Sequence, residues 1–119
     1  MRVFLVEDSP MLRERLEAIV ASIPGAVNVG YSAAADEAIA AIPAARADVV
    51  VLDVQLERGS GFDVMRALRE SAPRLRFYVL TNFTHEAYRR KAQELGARGF
   101  FDKSRDVDLL REALAAESG

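Results

Sequence analysis

The sequence predicts an α/β domain built on a doubly wound, five-stranded parallel sheet with helices on both faces, and three features predict it. Five short apolar runs alternate with segments of helical period, as repeated βα units require. The central run, Val49-Val50-Val51-Leu52, is apolar without alternation, as in a strand covered on both faces. Strict β-then-α order makes the crossovers right-handed and the strands parallel.

The first strand is expected over Val3 to Val6. Ser9-Pro10 then reads as an N-cap with proline at the first helical position, ahead of a stripe of Leu12, Leu16 and Ile19. The second strand is placed over Val27 to Tyr31, and the second helix, alanine-rich and weakly patterned, over Ala34 to Ile42 with Pro43 as its stop. Val49 to Leu52 form the third strand. Ser60 with Asp63 resembles a capping box opening a helix striped by Phe62, Met65 and Leu68 and stopped by Pro73. The fourth strand, Phe77 to Leu80, precedes a helix carrying Tyr88, Ala92 and Leu95, after which Gly96 suits the left-handed position. Gly99 to Phe101 form the fifth strand, and Val107, Leu110 and Leu114 stripe the last helix.

Residues 1–119 read as one domain, large enough for a core but without room for a second folded unit. A formal charge of -2 gives no electrostatic case for direct nucleic-acid binding. With no cysteine in the chain, disulfides and thiolate metal sites are excluded. The opening "MRVFLVEDSP" has too short an apolar run for a signal sequence, and no stretch approaches a membrane span, so a cytoplasmic location is expected.

Aligning the strand ends gathers the polar residues. Glu7 and Asp8 follow the first strand, Asp53 ends the third, Thr81 follows the fourth, and Lys103 comes just after the fifth. In a sheet of order 2-1-3-4-5, the flavodoxin-like arrangement, strands 1 and 3 are neighbours at the switch point where ligands collect. Three carboxylates then share one cleft. Charges about 4 Å apart repel by roughly 4 kcal/mol per pair at an effective dielectric near 20, so the cluster calls for a cation or a shared proton. An all-oxygen donor set suits Mg²⁺, with Mn²⁺ able to stand in. Lys103 and Thr81 offer an ammonium and a hydroxyl to phosphoryl oxygens, and Asp53 is placed to accept a phosphoryl group as a carboxylate nucleophile.

The segments "FLVEDSP", "VVVLDVQLERGSG", "VLTNF" and "GARGFFDKS" resemble, in order and spacing, the receiver domain of two-component response regulators, of the chemotaxis-receiver type. The resemblance implies that Glu7, Asp8, Asp53 and the backbone carbonyl of Gln55 hold Mg²⁺, that Asp53 is the phosphoacceptor, and that Thr81, Lys103 and Phe100 bind phosphate or switch. It further implies that Gln55 and Phe83 flank the attacking water and, with Asn82 beside the entrance, tune dephosphorylation. The implied function is a phosphorylation-dependent signalling switch that catalyses only its own phosphorylation and a slow autodephosphorylation. Its donor would be a sensor histidine kinase or histidine phosphotransfer protein. An effector would read the face formed by the fourth helix, fifth strand and fifth helix, and homodimerisation stays open. No membrane partner is implied.

Four positions depart from the commonest family pattern. Glu57 stands where proline is frequent, leaving Gly59 and Gly61 to shape the loop; Ser104 replaces a proline after Lys103, so a trans bond is expected there. Asn82 is bulkier than the usual residue, and Phe100 lacks the hydroxyl of the usual tyrosine.

Competing readings fare worse. An aspartate-nucleophile phosphatase of haloacid-dehalogenase type needs a second carboxylate two residues beyond the nucleophile, where this chain has Gln55. A flavin carrier would meet two repelling carboxylates in "VEDSPML". A docking-only pseudo-receiver sits poorly with the intact set of Glu7, Asp8, Asp53, Thr81 and Lys103. His85, the single histidine, has no histidine or cysteine partner for a metal site and reads as an exposed helix residue. Arg89, Arg90 and Lys91 form either a solvated helix face or a partner surface.

Overall fold

The computed structural model describes residues 1–118. In chain order the elements are β1 (Arg2–Val6), α1 (Pro10–Ala21), β2 (Val27–Ser32), α2 (Ala35–Ala44), β3 (Val49–Leu52), α3 (Gly61–Leu68), β4 (Arg76–Thr81), α4 (Glu86–Glu94), β5 (Gly99–Asp102) and α5 (Val107–Ser118). The strands form one parallel sheet of order β2-β1-β3-β4-β5. This is the doubly wound, flavodoxin-like α/β architecture expected from the sequence.

Each strand feeds both faces at once, which explains the unalternating runs. Phe4, Val6, Val50, Leu52, Phe77 and Val79 pack under α2, α3 and α4 with Ala38, Ile42, Phe62, Met65 and Ala92. The intervening Val3, Leu5, Val49, Val51, Tyr78 and Leu80 pack under α1 and α5 with Leu16, Val20, Leu110 and Leu114. Fully burying each such aliphatic side chain contributes about 1.5–3 kcal/mol. β1 and β3, with neighbours on both edges, are therefore the rigid centre from which the acidic residues emerge.

The predicted caps are present. The Ser9 side chain accepts from the Leu12 N–H, with Pro10 in the first turn. Ser60 and Asp63 exchange the reciprocal hydrogen bonds of a capping box. Four element ends differ from the sequence reading. Pro43 does not stop α2 but lies inside it, because a proline in the last turn forfeits a single hydrogen bond; the helix ends at Ala44 with Ala45 as its C-cap, and Arg46 beyond it takes the left-handed conformation at φ 53°. β2 runs one residue further, to Ser32. β4 and β5 likewise continue to Thr81 and Asp102, whose pairing extends the ladder to the sheet's carboxyl edge, so Thr81 is the last residue of its strand. Every peptide bond among the described residues is trans, including Lys103-Ser104.

Candidate functional site

The β1–α1 turn, the end of β3 and the turn after β5 converge at this edge. Asp53 and Glu7 are buried, 5% and 2% exposed, whereas Asp8 faces solvent. Main-chain bonds fix the two buried carboxylates: the Asp53 N–H donates to Val6 O at 3.1 Å, and the Glu7 N–H to Ser32 O at 3.0 Å. One carboxylate oxygen from each of Glu7, Asp8 and Asp53 lies within 4.8 Å of the others.

Lys103 reaches into this cluster. Its Nζ is 2.5 Å from Asp53 Oδ2 and 3.0 and 3.1 Å from the two Glu7 carboxylate oxygens. The Ser9 N–H also donates to Glu7 Oε2 at 3.0 Å. Burial pushes the Glu7 carboxyl above the usual carboxylate range, outweighing the hydrogen bonds from Ser9 and Lys103 that favour its charged form. Burial alone would lower the Lys103 ammonium, but the hydrogen bonds and charges of Asp53 and then Glu7 hold it above the usual lysine value.

One ammonium against three carboxylates leaves the site short of positive charge when all three are ionised. The shortage is local to one atom: Asp53 Oδ1 is buried and has no hydrogen-bond partner. A buried carboxylate oxygen without a donor is costly. An all-oxygen set of three carboxylates around such an orphan fits a hard divalent cation.

The remaining predicted residues divide into two groups. Thr81 is fully buried at the end of β4, and its hydroxyl accepts from the Phe83 N–H at 3.1 Å. The Lys103 N–H donates to Thr81 O at 3.0 Å, joining the turns that follow β4 and β5. Asn82 is exposed and accepts from the Ser104 hydroxyl at 3.5 Å across the same pair of turns. Away from the carboxylates, Phe100 is half-buried on β5 with the Arg89 guanidinium 4.6 Å over its ring. Phe83 leans on Tyr88 with ring centroids 5.6 Å apart. Gln55 is exposed and pairs with Ser60 in an isolated antiparallel bridge. Phe83 and Gln55 line one cavity beside the β3–α3 loop.

The loop between β3 and α3 owes its shape to two glycines and one main-chain N–H. Gly59 is left-handed at φ 73°, and a Cβ on Gly61 would lie 2.2 Å from Asp53 O, so only glycine fits. The Glu57 N–H donates to Ala33 O at 3.0 Å, and the Ala35 N–H to Arg58 O at 2.9 Å, tying this loop to the β2–α2 turn. A proline at position 57 would have no N–H to donate.

Sequence reasoning missed a second polar cluster at the opposite end of the sheet. Glu117 on α5 accepts from the Tyr78 hydroxyl at 2.7 Å and pairs with Arg98 at 3.0 Å and with Arg76. Its members lie up to 41 residues apart in the sequence and carry no local motif.

The fold and the acidic edge define a class of doubly wound α/β domain with a carboxylate cluster at its switch point. A family model for the response regulator receiver domain matches residues 3–115, and the chain belongs to that family. It is 38% identical over 111 residues to the DNA-binding transcriptional activator DevR/DosR of Mycobacterium tuberculosis, covering 92% of this chain and 51% of that protein. A LuxR-family two-component response regulator from Aurantimonas superposes with a TM-score of 0.90 at 32% identity, over 98% of this chain and 84% of that one. The receiver domain of a NarL regulator from M. tuberculosis gives 0.86 at 26% identity, over 98% and 94%. The chain spans about half the length of the curated relatives it matches.

Proposed function

We propose that this chain is a phosphorylation-dependent signalling switch that takes a phosphoryl group onto Asp53 from a phosphohistidine donor and changes its partner-binding surface in response. The observation that carries the reading is the buried, partnerless Asp53 Oδ1, set among Glu7 and Asp8 with Lys103 bonded to the other oxygen.

Glu7, Asp8 and Asp53, with the main-chain carbonyl of Gln55, would hold Mg²⁺ or Mn²⁺. When bound, the ion supplies neutralising charge to the phosphoryl oxygens. In the transfer, a carboxylate oxygen of Asp53 forms a bond to phosphorus while the donor's P–N bond breaks and its imidazole leaves with that electron pair. Lys103, already on Asp53 Oδ2, presents its ammonium to the incoming oxygens, and the Thr81 hydroxyl is a second donor from the end of β4. Phe100 and the turns after β4 and β5 then pass the change to the face formed by α4, β5 and α5, where an effector binds. Residues 1–119 act as one receiver domain whose only chemistry is its own phosphorylation and dephosphorylation. A histidine kinase or histidine phosphotransfer protein is the donor.

The test is intact-mass measurement after incubation with Mg²⁺ and acetyl phosphate. One added phosphate is expected in the wild type and none in Asp53→Asn; undiminished labelling of that variant refutes the assignment.

A further inference from the structure

We propose that the cavity between the β3–α3 loop and α4 is a binding site for a small flat aromatic carboxylate. Its volume is about 410 Å³, and its lining includes Gln55, Ser60, Phe62, Phe83, Tyr88 and Lys91. That volume falls in the range of small-molecule sites, roughly 300–1,000 Å³.

The walls specify the ligand. Phe62 is buried and stacks against Tyr88 at 6.3 Å with an interplanar angle of 12°, and Phe83 tilts onto the same Tyr88 ring. Tyr88 and Phe83 are only half-buried, so aromatic surface is left open to the cavity. Such surface favours an aromatic guest, offset-stacked or edge-on. Lys91 supplies the charge preference. Its Nζ lies 5.3 Å from the Phe62 ring centroid, it is exposed, and it takes no part in the ion pairs of the described residues. An ammonium without an anion, held over an aromatic wall, is complementary to a carboxylate attached to a ring. No acidic side chain lines the cavity to oppose it.

The position gives such a ligand something to act on. Gln55 and Ser60 belong to the loop that follows Asp53, and Phe83 belongs to the turn that follows Thr81, its N–H held by the Thr81 hydroxyl. A guest in the cavity therefore touches both turns flanking the acidic cluster. The site itself does not depend on the phosphoryl-transfer reading, because the cavity exists without phosphate.

The experiment titrates the whole chain with naphthalene-2-carboxylate, followed by amide and methyl NMR shifts, against the neutral naphthalene-2-carboxamide. Saturable one-site binding is expected, with shifts centred on Gln55, Phe83, Ala87, Tyr88 and Lys91. Affinity should fall about tenfold for the carboxamide and for Lys91→Glu, as befits losing one charge-assisted hydrogen bond, while Lys91→Arg should retain binding. Lys91 is exposed, so neither variant threatens the fold. Absence of saturable binding, shifts elsewhere, or equal affinity for carboxylate and carboxamide overturns the proposal. Acetyl phosphate labelling of the same samples keeps a failure of this site separate from a failure of the Asp53 assignment.

Discussion

Asp8 and Asp53 carry the same charge in different surroundings, and the difference decides what each does alone. Asp53 is buried against Lys103, whereas Asp8 is exposed and makes no hydrogen bond or ion pair with that ammonium. Removing the Asp8 charge should relieve repulsion, so Asp8→Asn is expected to match or exceed wild-type stability without metal. Wild type should gain stability with Mg²⁺, about 2.7 kcal/mol at one hundred times the dissociation constant, and the variant should lose that gain. Urea unfolding with and without Mg²⁺ measures both. A wild type indifferent to Mg²⁺ contradicts the metal assignment.

Phe83 and Gln55 bear on how long a phosphoryl group would last. Hydrolysis needs an in-line water, which a polar side chain can orient and Phe83 cannot. Gln55 can, at the cost of ordering a freely rotating side chain. Slow loss of the acyl phosphate is therefore expected, and Phe83→Glu should speed it about tenfold if about 1.4 kcal/mol of barrier is recovered. Decay of the wild type within seconds of donor removal, or no acceleration in the variant, contradicts this.

At the scale of elements, the β3–α3 loop and the α5 anchor make separate predictions. Gly61→Ala would force a Cβ into Asp53 O, so the main chain at Asp53 must shift. The variant is expected to lose about 3 kcal/mol or more and to label poorly; near-wild-type melting and labelling would contradict it. At the other end of the sheet, burial first and the Glu117 hydrogen bond second push the Tyr78 phenol from 10.0 up to about 12. Folding thus favours the neutral phenol. Its contribution is complete below about pH 10 and is lost as pH rises through about 12. Lys103, also raised, loses its contribution on the same alkaline side. Tyr78→Phe should cost about 1 kcal/mol at neutral pH, since Arg76 and Arg98 still hold Glu117. It should also show a smaller loss of stability between pH 9 and pH 12 than wild type, read by denaturant unfolding across that range; parallel curves would contradict the assignment.

Over the whole molecule, the sheet order and the polar edge were legible because each strand is an apolar run and each key residue sits at or just beyond the end of one. Glu7, Asp8, Asp53, Thr81 and Lys103 needed only the strand ends and the order to be brought together. What the sequence hid was long-range or carried by the main chain. The Glu57 N–H that ties two turns has no side-chain signature, and neither does the left-handed Arg46 that follows α2. The Glu117 cluster joins β4, the turn before β5 and α5 through residues that look locally like ordinary surface charges.

The same architecture offers a route by which a charge added at one edge would reach a distant surface. Thr81 at the end of β4 and Lys103 just after β5 are joined by the Lys103 N–H, and the turns beyond them by the Ser104–Asn82 contact, so under the proposed function new negative charge on Asp53 would pull on both together. Arg89 on α4 rests on Phe100 of β5, linking those strands to the helix face beyond. A ligand shifts a two-state surface only by its differential interaction with the two states. The most direct measurement is therefore the amide NMR spectrum with Mg²⁺, before and after acetyl phosphate, for wild type and Asp53→Asn. The expected result is a coupled set of shifts at Asp53, Thr81 and Lys103 that continues through Phe100 and along α4 and α5, absent in the variant. Shifts confined to the immediate neighbours of Asp53, or the same shifts in Asp53→Asn, would contradict the switch.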